Sequence, residues 1–402
     1  MAKKRVKKYK NPYRLIGILL ITILVAFEAV LYTQPVASLK PTTLTVAAPA
    51  TTAATMPWPA YGQSALGAVG FNYVASSGQP KPTPIASVAK MITALCVLKE
   101  KPLALGQQGP TITLGSADVD YYQNYVNNDG SVVPVQAGEQ ISEYQALQAM
   151  MLPSANNMAD SLANWAFGSM SAYTSYANKY LASISASNSH MSDASGFSPQ
   201  TLSSAVDLVK IGKLALADPV LAQIVAQKQA VVPVAGTVYN TNWLLGTDGI
   251  VGTKTGNTSQ AGGCFLFAAT RSVSGQNITV VGAVLNAPDL VTAMQDAHKI
   301  ILASDANFQT VTAVHAGQIV ASYYPKWQAK VNAVASQDVR VLVWRGQPVE
   351  ISSNVSAIKT SSPAGSVVGK VSASADMQNT TSPLVLAQDI KQPPIKWRLF
   401  RL

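Results

Sequence analysis

Apolar positions fall along this chain in several distinct textures, and each predicts a different kind of element. Residues 15–33, "LIGILLITILVAFEAVLYT", are apolar apart from Thr22, Glu28 and the last two positions, which is a helix long enough to cross a hydrocarbon core. Residues 34–57 then lapse into Ala, Thr and Pro and read as an extended linker. Globular patterning begins near Trp58. There "ALGAVGFNYVA" predicts a first strand with a glycine-relieved bend, and "SSGQPKP" is turn chemistry. Residues 87–99 are apolar on several faces, with Met91, Ile92, Leu95, Val97 and Leu98, so the predicted helix is a central one. Between residues 142 and 165 two helical patterns are separated by "LPSANN", where Pro153 stops the first. Helices continue over 170–182 and 204–216, with "DASGFSPQ" as the loop between them.

After Thr237 the texture changes to β-branched and aromatic runs, "GIVGTKTG", "GGCFLFAAT" and "ITVVGAVL", before a closing helix in "LVTAMQDAHKIILAS". Strand, helices, strands, helix is an α+β order, with a sheet assembled from both ends of the domain. From about Phe308 short alternating runs with Pro, Gly and Ser punctuation predict a small all-β domain, and the tail "IKWRLFRL" is read as its last strand in preference to a membrane-surface contact. The expected organisation is a basic segment at 1–14, a transmembrane span at 15–33 read as an uncleaved signal anchor with a cleaved signal peptide as the alternative, a linker at 34–57, an α+β domain at 58–304 and a β domain at 305–402.

Charge changes little in this picture. The formal charge is +10, but seven of the 29 basic residues, from Lys3 to Arg14, precede residue 15 and leave 22 against 19 acidic residues. The excess therefore orients a membrane anchor, with the N-terminus cytoplasmic and the rest outside, and implies no nucleic-acid partner. The two cysteines, Cys96 and Cys264, lie in apolar runs and are read as buried hydrophobes, with a disulfide as the alternative. Three histidines without ligand spacing predict no metal, and no nucleotide or cofactor motif is present.

The chemistry starts from "PIASVAKMITAL". Ser87 and Lys90 are three apart, so on a helix their side-chain ends meet, and a buried lysine of lowered pKa can take a serine proton. Taken alone the pair is better read as a helix-terminal hydroxyl and a snorkelling lysine than as an active site, and Ser356 with Lys359 repeats the spacing in the β-rich tail. Two further motifs change the balance: "SAN" at Ser154 to Asn156, in the break between helices, and "KTG" at Lys254 to Gly256, opening a strand. S-x-x-K, S-x-N and K-T-G in that order are the signature of penicillin-binding proteins and class A β-lactamases.

With these motifs, and with "LQAMMLPSANNMADSLA" and "VGTKTGNTSQAGGCFLFAAT" around them, the chain resembles the low-molecular-mass penicillin-binding proteins, serine D-alanyl-D-alanine carboxypeptidases. The resemblance covers about residues 65–304, and the C-terminal β domain is similar to the accessory domain many members carry. It implies a β-lactamase/transpeptidase-like catalytic domain, an antiparallel sheet flanked by helices. It also implies roles for particular residues: Ser87 as acylated nucleophile, Lys90 as general base, Ser154 as proton relay and Asn156 as a partner of the substrate's acyl-side peptide. Lys254 would lend positive potential, Thr255 bind the terminal carboxylate, and Gly256 let the strand approach. The backbone N–H groups of Ser87 and Asn257 would form the oxyanion hole. The implied partners are peptidoglycan stem peptides, with β-lactams as inhibitors, at a bacterial plasma membrane.

This chain departs from many members in reading "SANN", so Asn157 is expected to shape the site differently. It also has no arginine in "NAPDLVTAMQDAHKI", so a carboxylate-holding cation would have to be Arg271 or Lys254. A class A β-lactamase is disfavoured because no glutamate lies between Ser154 and Lys254; an aspartate substitute would come from Asp160, Asp193, Asp207, Asp218 or Asp248. A transpeptidase shares every motif. A non-enzymatic wall scaffold is opposed by the intact set, and a Ser-His-Asp hydrolase by the lack of G-x-S-x-G and of any evident histidine partner.

Overall fold

A computed structural model describes residues 12–401, so residues 1–11, most of the expected basic segment, lie outside the described residues. The chain forms two compact units: Thr51–Gln309 with Val343–Gln347, and the chain up to Ala50 with Thr310–Leu342 and Pro348 onward.

The larger unit is built on a five-stranded antiparallel sheet in the order Ile250–Thr258, Gly262–Val273, Gln276–Ala287, Gln63–Ala68, Val74–Ser76. Strands from both ends of the unit meet in it, as the order of textures predicts. The predicted bent first strand is a hairpin, because Gly70 takes a left-handed φ of 82° and reverses the chain. Residues 263–269 are buried without alternation, which means both faces of the sheet are covered. Cys264, Leu266 and Ala268 belong to the main core, while α9 (Leu290–Ala303) also packs against this strand and its neighbour. Both cysteines are free and buried, and burial pushes each thiol up to about 12, so both act as small hydrophobes.

The helical half supplies α2 (Lys90–Glu100), α3 (Ser116–Asn127), α4 (Glu143–Met151), α5 (Asn156–Phe167), α6 (Met170–Ser183), α7 (Ala205–Ala217) and α8 (Pro219–Val225). Every residue of α2 from Lys90 to Leu98 is buried, as its all-round apolar pattern requires. The capping box Ser142–Gln145 starts α4, and α5 starts just past Pro153. Periodicity did not reveal α3, since among its residues only Tyr125 is buried. The strand pair Gln229–Val232 and Gly236–Tyr239 likewise begins ahead of the expected change of texture.

In the smaller unit α1 (Pro12–Thr33) is 22 residues long, about 33 Å, and none of it is buried. A six-stranded sheet follows the order Thr42–Thr43, Ile319–Tyr323, Val331–Ala335, Gln378–Leu386, Val367–Ala375, Glu350–Val355. Thr42–Thr43 come from the expected linker: β-branched residues there add themselves to an exposed sheet edge. The tail corrects a second expectation. It is a short helix, α10 (Ile395–Phe400), entered from Pro394, and not a strand. Its Trp397 is buried with ring centroid 5.0 Å from that of Trp327, and Arg398 reaches the Tyr32 carbonyl at 3.1 Å, so packing against α1 decides its conformation. Ser352, Asn354, Ser356 and Lys359, which repeat two of the motifs, all fall in this unit.

Candidate active site

Ser87 lies in a 3-10 turn, Ala86–Ala89, that runs directly into α2 at Lys90. Three residues per turn stack positions i and i+3, so the tighter turn brings the two side chains closer than an α-helix would. Lys90 Nζ is 2.7 Å from Ser87 Oγ, 2.6 Å from Asn156 Oδ1 and 3.0 Å from the Ser195 carbonyl oxygen. Lys90 has no exposed surface, and burial lowers its pKa to about 7 against the opposing pull of Asp193 and Asp160.

These three contacts specify the chemistry of the neutral amine. Asn156 Oδ1 and the Ser195 carbonyl can only accept, so they take the two N–H protons of a neutral Lys90. Its lone pair is then left for the Ser87 hydroxyl, which donates to it. That is the geometry of a serine whose proton has somewhere to go.

The turn carrying Ser87 is held from two sides. Ala86 has a left-handed φ of 47°, and its carbonyl oxygen would be 1.9 Å from a Cβ placed on Gly196. On the other side a Cβ on Gly256 would be 3.0 Å from Ser87 N and from Ile85 O. Both glycines are there because backbone passes against backbone. Gly196→Ala, also at a left-handed φ of 76°, is expected to destabilise the unit by roughly 2–4 kcal/mol. Urea unfolding measures that loss, and an unchanged midpoint would mean that the Ala86 turn yields freely.

Lys254, Thr255, Gly256 and Asn257 stand on Ile250–Thr258, the edge strand of the sheet, in register with Leu266, Phe265, Cys264 and Gly263. An edge strand leaves one row of N–H and C=O groups outside the ladder, available to a ligand chain. Lys254 is 1% exposed and its Nζ donates to the Thr255 carbonyl; burial, then the nearby Lys90, holds it well below the usual lysine range. Thr255 and Thr241 hydroxyls are 2.6 Å apart. Ser154, in the break before α5, has a left-handed φ of 68° and is buried. Its hydroxyl makes no hydrogen bond to the other site residues. Asn157 is turned away from the cleft and pins the loop ahead of it, accepting from Val133 N and donating to Val133 O.

A cleft of about 590 Å³ opens beside these groups, lined by Ser87, Ser131, Asn156, Phe197, Asn257 and Gln260 among others. Two of its walls escaped the reading of the sequence. One is the loop after α3, joined to α5 by Asn156 N donating to Ser131 O at 2.7 Å. The other is the "DASGFSPQ" loop, where Asp193 accepts from the Ser195 and Thr201 hydroxyls and from the N–H groups of Gly196, Phe197 and Ser198. The signal was an aspartate two residues ahead of a serine and three ahead of a glycine, the spacing of an Asx-type turn.

The carboxylates considered as a deacylating base are all engaged. Asp193 organises its own loop, Asp207 accepts from Asn188 N and Ser189, Asp218 caps α8, and Asp160 is hydrogen-bonded to the Tyr125 hydroxyl behind the cleft wall. Asp248 pairs with His298 at 2.6 Å, so one histidine does have a carboxylate partner. That pair sits just before the Lys254 strand, far along it from Gly256, and among the described residues no serine is hydrogen-bonded to His298. Arg271 forks onto Asp305 with both contacts at 2.8 Å, at the opposite end of its strand from Cys264 and away from the motifs.

An α+β body with this serine, lysine, asparagine and K-T-G strand defines the class: a penicillin-binding-fold serine hydrolase acting on peptidoglycan. The chain belongs to the D-alanyl-D-alanine carboxypeptidase family, whose profile it matches over residues 73–289, and residues 308–392 match the penicillin-binding protein 5 C-terminal domain. It is 24% identical over 318 residues to the D-alanyl-D-alanine carboxypeptidase DacA of Escherichia coli, covering 76% of this chain and 77% of that one. In fold it is similar to penicillin-binding protein 5 from Haemophilus influenzae, with a TM-score of 0.60, 23% identity and coverage of 84% of this chain and all of that one. The Streptomyces K15 DD-transpeptidase superposes with a TM-score of 0.56 at 25% identity, over 63% of this chain and 100% of that one.

Proposed function

We propose that the protein is a serine D-Ala-D-Ala carboxypeptidase that trims the terminal D-alanine from peptidoglycan stem pentapeptides and is acylated by penicillins. The observation that carries this reading is the 2.7 Å contact between Lys90 Nζ and Ser87 Oγ, with the other two partners of Nζ able only to accept. Lys90 takes the Ser87 proton as Oγ attacks the penultimate D-alanine carbonyl. The tetrahedral oxygen is held by the N–H groups of Ser87 and Asn257, each worth roughly 3 kcal/mol of barrier. Collapse breaks the C–N bond, and the proton on Lys90 passes by way of Ser154 to the departing D-alanine. Water then attacks the acyl-ester carbonyl and gives a proton to Lys90; collapse breaks the Ser87 Oγ–C bond, Lys90 returns the proton to Oγ, and the shortened peptide leaves.

Asn156, its Oδ1 committed to Lys90, has its amide NH₂ left to donate to the acyl-side peptide. Thr255, on the edge strand, binds the terminal carboxylate, with Lys254 behind it. Arg271, committed to Asp305, is left out of that role. Hydrolysis of a β-lactam acyl-enzyme by an aspartate is disfavoured because all five candidates are engaged elsewhere.

The helix α1 is long and apolar enough to span a membrane, and the basic residues before it support an orientation with the N-terminus in the cytoplasm and the catalytic unit outside, where the stem peptides are. The test is intact-protein mass spectrometry after a labelled penicillin, together with assay of D-alanine release from a pentapeptide. A stable adduct on Ser87 and release into water are expected. A product in which an amine replaces D-alanine would make the enzyme a transpeptidase, and no adduct with no release would leave a wall scaffold.

A further inference from the structure

Behind Lys90 a row of oxygens runs from α5 to the loop that holds it. Asp160 Oδ2 is 2.9 Å from the Tyr125 hydroxyl, that hydroxyl is 3.2 Å from Ser195 Oγ, and Ser195 Oγ is 2.8 Å from Asp193 Oδ2. Three links between oxygens need three protons, and the two hydroxyls supply two. Tyr125 and Ser195 can fill the two short links by themselves, and a proton in the 3.2 Å link as well requires a third, from one of the end carboxyls. Asp193 takes three backbone N–H groups and two hydroxyls on its oxygens, the pattern of an ionised acceptor. Asp160 is the opposite case: its Oδ1 is shielded from water and has no partner. A bare anionic oxygen there is costly, whereas the carbonyl oxygen of a neutral acid tolerates it better.

We propose that Asp160 is a positioning residue held as a neutral carboxylic acid. It donates to Tyr125, Tyr125 to Ser195 and Ser195 to Asp193, and this one-way row fixes the Ser195 carbonyl that holds Lys90. The acid also keeps a second anion away from Lys90, so that the amine is not drawn into its ammonium form.

The groups facing Asp160 fit this state. Tyr121 and Tyr125 come from α3, and Asp118 on the same helix bonds Ser161, the next residue of α5. Tyr173 comes from α6, Asp193 from the loop and Lys90 from α2. The only cation among them is Lys90. Burial, aided by Asp193, raises Asp160 to about 7 in spite of Tyr125 and Lys90. Tyr125 also stacks edge-on against Phe197 of the cleft wall, with centroids 5.4 Å apart, so Tyr125→Phe removes the row's middle link and keeps the ring.

The infrared difference spectrum of wild type minus Asp160→Asn at neutral pH should contain the C=O stretch of a protonated carboxylic acid. Its absence would overturn the proposal, whatever the enzyme's activity. The kinetic arm rests on the acyl-enzyme reading above and follows labelled-penicillin acylation of Ser87. Asp160→Asn, whose NH₂ replaces the donated proton, should stay within about threefold of wild type, while Asp160→Ala and Tyr125→Phe, which leave partners unpaired, fall about tenfold or more. The acid limb of the pH profile should be unmoved in Asp160→Asn. A limb displaced to lower pH would show that an anion had been removed, and an Asn variant as slow as the Ala variant would show that no proton is donated; either overturns the proposal. If wild type itself is not acylated, the functional reading fails and the infrared result still decides the state of Asp160.

Discussion

Ser87→Ala is expected to leave the protein folded and to reduce both penicillin acylation and D-alanine release by at least about 10⁴-fold. Ser87 is half-buried, and its hydroxyl is hydrogen-bonded to Lys90, so removing a single oxygen creates little cavity and leaves Lys90 with two of its three partners. The loss would therefore be chemical. Unfolding midpoints of the two proteins should agree, and mass spectrometry should find the label on Ser87 in wild type and nowhere in the variant. A variant that still acquires label would move the nucleophile to another serine and dissolve the argument built on the Lys90 contact.

Lys90→Met should lower acylation by roughly 10³-fold, within the range expected for loss of a general base. Met nearly conserves the buried volume but leaves Asn156 Oδ1 and the Ser195 carbonyl without their donor, so some loss of stability accompanies it. The pH profile separates the two effects. Burial lowers Lys90 to about 7, so wild-type acylation should be fully developed above that pH, where the amine carries its lone pair. It should fall about tenfold per unit below it, where the ammonium forms. In Lys90→Met this limb should vanish. A limb that survives the substitution would assign it to another group and remove Lys90 from the role of base.

Much of this site can be read from residue order. The three motifs are short; Ser87, Asn156 and Asn257, the residue after K-T-G, line one cleft, and each motif sits where a local pattern places it: Ser87 ahead of an all-apolar helix, "SAN" at a proline-broken helix junction, "KTG" on a β-branched strand. What escaped has a common physical cause. α3 buries only Tyr125, so it has no apolar stripe to detect. Tyr125, Asp160, Ser195 and Asp193 are bonded to one another across as much as 70 positions of sequence, and no local rule pairs them. The tail helix depends on Trp397 finding Trp327, and the Thr42–Thr43 strand on an edge provided by Ile319–Tyr323. A contact between distant segments leaves no periodicity in either one.

The sequence alone therefore determined the membrane-length helix, the α+β order, the all-β C-terminal portion and the candidate reacting residues, since these follow from hydrophobic period, turn chemistry and residue type within a short window. Tertiary structure decided how those residues act. It placed Ser87 in a 3-10 turn and not within the helix, turned two acceptors onto Lys90 so that its lone pair faces the serine, and brought Gly256 against the Ser87 backbone. It also set Asp160, Tyr125, Ser195 and Asp193 in one row of oxygens behind the site. Basicity and proton count belong to an assembled environment, because burial and hydrogen-bond partners come from elements far apart in the chain.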